Sequence, residues 1–206
     1  MPFLNEISRK GGFSLELVLS CYQSLCEQIY EYGDSLTKER RRDLLKGLRE
    51  HHTSLMEFCL LVMFVSVPLS QENSHHKRVV KKVLHLFQIL FEHINFTVLT
   101  EESFQLLFAL TNNPEFQAEA LEAMISFVTK KRDKNQRLEL NRLINGINIY
   151  SEPFYLLLSQ DCESLENDSY LLINRFAEYL KLLTTHVVVP GREENFVNFE
   201  TSSLQV

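Results

Sequence analysis

The chain of 206 residues has no Trp, only six Gly and five Pro, and four Cys. So few glycines and prolines leave little of the punctuation that a many-stranded sheet needs. Alternating apolar and polar runs between turn signals are also nearly absent, which argues against an all-β fold and favours an all-helical one. Cys21, Cys26, Cys59 and Cys162 stand at neither metal-ligand nor Cys-x-x-Cys spacing, so they are read as reduced and mostly buried thiols. Gly11-Gly12 is followed by no Lys-Ser or Lys-Thr, which removes the phosphate-cradling loop. His51-His52 and His75-His76 place adjacent rings in different directions, with no Cys or carboxylate at a ligand spacing. Ser20, Ser24 and Ser54 have no base that their spacing would bring to them. Neither an enzyme nor a metal or cofactor site is expected.

The net charge of -6 gives no overall electrostatic footprint for nucleic acid and leaves only local basic faces. The most apolar run, Phe58 to Leu69, is about a dozen residues long against the roughly 20 that span a bilayer, so no membrane insertion is expected. Met1 to Gly12 carries neither a secretory nor a transit pattern. Asn95-Phe96-Thr97 and Asn167-Asp168-Ser169 match the glycosylation triplet and are read as chance matches.

What is present is amphipathic helix. A first helix is expected from Ser14 to Tyr32, and a long one from Thr37 to Val65, closed by Pro68. From His76 to Arg132, three more are joined by short turns. Val79, Val80, Val83, Leu84, Phe87, Leu90, Phe91 and Ile94 make the first stripe; Thr100 caps the second; Asn113-Pro114-Glu115 starts the third. Shorter helices are expected over Gln136 to Gly146 and Pro153 to Ser159, with an acidic loop over Asp161 to Asp168 and a last helix from Ser169 to His186. Helix pairs thus return every 40 to 60 residues or so, an interval suited to a HEAT-like α-solenoid of antiparallel pairs. The expected organisation is an irregular segment 1–12, a helical-repeat segment 13–187 and a flexible tail 188–206.

Three basic clusters punctuate this array: Lys38 to Arg49, Lys77 to Lys82, and Lys130 to Arg137. A solvated face paired with nearby Glu accounts for them most simply. If stacking brings the turns to one surface, Arg40, Arg41, Lys77, Lys81, Lys130 and Lys131 form a candidate surface for RNA or an acidic partner, with steep salt dependence.

Thr37-Lys38-Glu39-Arg40 through Leu44-Leu45-Lys46, then Ser54-Leu55-Met56-Glu57-Phe58-Cys59, resembles the stretch of exportins in which a threonine and basic residues lead into a helix with an apolar end. Leu86 to Lys131 is similar to the exportin order of leucine-rich helix, connector, helix, and a third helix with small and acidic residues before a basic end. Here that third helix is carried by Asn113-Pro114-Glu115-Phe116, Ala118, Ala120, Leu121, Met124, Ile125 and Val128-Thr129-Lys130. Tyr170 to Leu183 resembles a later helix of the same family. The resemblance implies a partial chain of an exportin-type member of the importin-β (karyopherin) superfamily, a monomer that shuttles between nucleus and cytoplasm. Its superhelix would bind protein cargo with Ran-GTP in the full-length protein, with RNA cargo as a further option. The N-terminal repeats that bind Ran in such receptors are not recognisable here, so the resemblance assigns no GTPase binding to this stretch by itself. The alternative is a helical-repeat adaptor for protein partners, unrelated to nuclear transport.

Overall fold

The computed structural model describes residues 12–30, 36–91, 100–130, 133, 135–138, 140, 159 and 167–185. Among them every regular element is helical: α1 (Gly12–Tyr30), α2 (Lys38–Leu69), α3 (Ser74–Phe91), α4 (Glu101–Thr111), α5 (Gln117–Thr129) and α6 (Asn167–Leu183). The expected segments 1–12 and 188–206 lie outside the described residues, except that Gly12 opens α1. So do the expected helix over Pro153 to Ser159, apart from Ser159, most of the one from Gln136, and Ile94 of the first stripe.

Local chemistry sets the helix starts. Thr37 Oγ1 accepts from the Arg40 N–H and caps α2, and Thr100 Oγ1 accepts from the Ser103 N–H and caps α4, whose first turn carries Glu101 and Glu102. Asn73 serves α3, its Oδ1 accepting from His75 N and its carbonyl from Lys77 N. Asp133 and Gln136 accept each other's backbone N–H, a reciprocal cap on the short turn that follows α5.

α1 opens at Gly12 rather than Ser14 and α6 at Asn167 rather than Ser169, and two other expected boundaries move further. α2 runs on to Leu69 with Pro68 inside its last turn, because a proline removes one N–H there and Ser70 then closes the helix on the Val67 carbonyl. The Asn113-Pro114-Glu115 signal forms a turn rather than the first helical turn. Asn113 Oδ1 accepts from Glu115 N and its carbonyl from Phe116 N, so α5 starts only at Gln117.

α3 lies at the centre, flanked by α1 and α5 and backed by α2, while α4 backs α5 and α6 extends the row beyond α5. The side-chain pairs give the directions. Glu16 meets His75 and Arg78, and Glu27 meets His85, so α1 and α3 run parallel. Lys77 pairs with Glu115 and Lys81 with Glu119, so α3 and α5 are parallel as well. By contrast Tyr22 meets Phe58, and Tyr30 meets His52, which makes α1 and α2 antiparallel. The core under this row is aromatic and aliphatic: Val79, Val80, Val83, Leu84, Phe87 and Leu90 of α3 are all fully buried.

At 32 residues α2 is about 48 Å long, against about 27 Å for the 18 residues of α3. By length and composition α2 contains a window able to cross a membrane, but half of that window is buried within the protein. Measured back from the turn that joins them, α3 covers α2 only to about His52. The first dozen residues of α2 therefore project past the described ends of α1 and α3.

Candidate functional site

In the first three turns of α2, Leu48 is still buried, and beside it on the helix surface runs a basic strip. Lys38, Arg41, Arg42, Leu45, Lys46, Arg49 and Glu50 line an open cleft of about 590 Å³. The spacing of three and four keeps them on one side of the helix. Lys38, Lys46 and Arg49 have no carboxylate within 4 Å among the described residues, while Arg42 stands 3.9 Å from the neighbouring Asp43.

The inner end of the cleft is a polar joint between helices. Tyr30 Oη and His52 Nε2 are 2.9 Å apart, joining the end of α1 to the middle of α2. Burial, together with the positive charges of Arg49 and Lys130, holds the His52 imidazole below its ordinary value. Burial and then Cys26 push the Tyr30 hydroxyl up to about 12. Lys130, at the C-terminal end of α5, is near enough to His52 to contribute to this lowering.

Of the sequence-predicted surface, Arg40 is exposed, Arg41 is half-buried in the cleft, and Lys130 caps α5 near its inner end. Lys131 lies outside the described residues. Lys77 and Lys81 are placed differently, on the seam between α3 and α5. Lys77 pairs with Glu115, and Lys81 Nζ is 2.8 Å from Glu119 and 3.8 Å from Glu115. Lys77 then Lys81 holds the Glu115 carboxyl below the usual carboxylate range. Pairing with nearby Glu is the simpler of the two readings of the clusters, and Lys77 and Lys81 follow it, with partners supplied by the neighbouring helix. A signal for them existed: Lys77 and Lys81 are four apart, Glu115 and Glu119 are four apart, and parallel helices bring two such pairs into register. Arg49 closes the first cluster and His52 belongs to a His pair, but only the packing of α1 on α2 brings both to Tyr30.

Among the described residues, the architecture is one of antiparallel helix pairs whose second members lie side by side and parallel, with a basic cleft at one end. The chain matches the family described as exportin 1-like protein over residues 4–124, more than half of its length, and belongs to that family. The matched region runs from before α1 into α5 and takes in the basic strip and the α3–α5 seam. No curated protein matches the chain.

Proposed function

We propose that the chain is a helical-repeat segment of a nuclear export receptor that binds protein cargo together with Ran-GTP in the context of the intact protein. Membership of the exportin 1-like family is the observation that carries this reading. The parallel stacking of α1, α3 and α5 supports the HEAT-like solenoid that goes with it. In such arrays each antiparallel pair buries its apolar face against the next, and the second helices align. The mechanism is a shift of population: stacked pairs flex, and a partner that prefers one curvature draws the array toward it. The receptor acts as a monomer and shuttles between nucleus and cytoplasm. An RNA cargo would be held through the α2 strip, since Lys77 and Lys81 are engaged with Glu115 and Glu119.

The test is affinity capture from nuclear extract on the intact protein, with and without GTP-locked Ran, read by mass spectrometry. Partners retained only with Ran-GTP are expected, because cargo and GTPase stabilise the same conformation and must help each other by the same factor. Equal recovery in both conditions would replace the export receptor with an adaptor that binds its partners without Ran.

A further inference from the structure

We infer that the basic side of the first turns of α2 is a docking site for an acidic helical segment of a protein partner. The inference stands on the cleft itself and holds whether or not the chain works in transport. Five cationic side chains, Lys38, Arg41, Arg42, Lys46 and Arg49, fall on one face within four helical turns, against one carboxylate, Glu50, among the described lining residues. Cations recur at each turn, about every 5.4 Å along the axis. An acidic helix laid along the strip repeats its carboxylates at the same interval, so each turn of one can meet each turn of the other.

Leu45 sits in the middle of the strip, which gives the occupant an apolar contact between flanking charges. That pattern is the mirror of a helix with one central leucine and glutamates a turn to either side. At its inner end the strip reaches the Tyr30–His52 joint, where Arg49 lies close enough to act on both groups. Lys38, Arg42, Lys46 and Arg49 are exposed, while Leu48, with Leu44 and Leu45 partly, turns toward the core on the adjoining side of the same helix.

The shape favours a peptide over a nucleic acid. The strip is one helix wide, about 10 Å. A duplex presents two phosphate strands and needs cations spread to either side. Lys77 and Lys81 lie toward the other end of α2, where His76 meets Ser66, and are held by Glu115 and Glu119, and the chain as a whole carries a net charge of -6.

The experiment is fluorescence anisotropy with a labelled helical peptide of about 15 residues, glutamates one turn apart around a central leucine. A control peptide carries glutamine at every glutamate. The glutamate peptide is expected to bind and the glutamine peptide not to bind. The double substitution Lys38→Glu with Lys46→Glu changes two exposed positions and is expected to weaken binding by roughly tenfold or more. Lys38→Gln with Lys46→Gln should give a smaller loss, and Lys82→Glu on α3, the same kind of charge change elsewhere, should give none. Helicity by circular dichroism confirms that each variant is folded. Equal weakening by Lys82→Glu, or undiminished binding after the double reversal, would overturn the site. An RNA duplex of matched charge that displaces the peptide at lower concentration than the unlabelled peptide itself would overturn the occupant.

Discussion

Truncation of one aromatic side chain tests the packing on which every surface depends. Phe127 of α5 is 2% exposed and meets rings from two other helices. Its centroid lies 5.2 Å from Phe91 of α3, edge-on, and 5.4 Å from Phe104 of α4. Phe127→Ala removes the ring from the point where α3, α4 and α5 converge. Loss of burial and the cavity left behind cost about 3–5 kcal/mol for such a residue, and the two ring contacts place this position toward the upper end. A typical domain has only about 5–15 kcal/mol in hand, so the variant is expected to be folded but fragile. Urea denaturation followed by helicity measures it. With a slope of about 2 kcal/mol per molar, the midpoint should fall by about 2 M. Phe104→Ala combined with Phe127→Ala should cost less than the two separately, because each removes the same contact. A midpoint shift below about 0.5 M would mean that Phe127 is not where α3, α4 and α5 meet.

Two further outcomes follow from the titrating groups. Glu115 is held below its ordinary value by Lys77 and Lys81, so the unfolded chain takes up its proton more readily than the folded one. Its contribution is complete above the ordinary carboxylate value and is lost as pH falls through the depressed one. Glu115→Gln should flatten the acid limb of stability against pH, and identical limbs in the two proteins would remove the seam from the account. Cys21 is exposed, whereas Cys26 and Cys59 are fully buried with thiols pushed upward by burial, Cys26 to about 12. Mass mapping after brief alkylation of the folded protein should find Cys21 modified well before those two.

Helix identity was legible because each apolar stripe repeats at three and four, and the strongest of them, Val79 to Phe91, is the helix that lies at the centre of the row. Caps at Thr37 and Thr100 could be read for the same reason: a side-chain oxygen next to an amphipathic run serves an orphan N–H whatever the tertiary context. Asn113-Pro114 misled because an Asn can bond its own chain two residues on, and that Asx turn competes with the capping geometry. The basic surface was only half legible. Lysines announce charge, but whether the charge is free depends on the neighbouring helix: Lys77 and Lys81 meet Glu115 and Glu119, while Lys38, Lys46 and Arg49 project past the helices that might have supplied a partner. Overhang is a property of relative helix lengths and of packing, and neither is written in the cluster itself.

Charge in the rest of the row has a different task. α1 offers Glu16 and Glu27, α3 answers with His75, Arg78 and His85 on one flank and Lys77 and Lys81 on the other, α5 offers Glu115, Glu119 and Glu122, and α6 answers with Arg175. Each exposed pair is worth at most about 1 kcal/mol, far less than one buried phenylalanine, so these contacts do not hold the row together. They bear on its order. Helices with similar apolar stripes could stack in several sequences at nearly equal burial, and α1 beside α5 would set acid against acid. Alternation of sign penalises that arrangement while leaving the observed one unopposed. The same rule bears on the α2 strip: it lies outside the alternating row, and among the described residues Lys38, Lys46 and Arg49 meet no carboxylate of another helix, which leaves them for a partner.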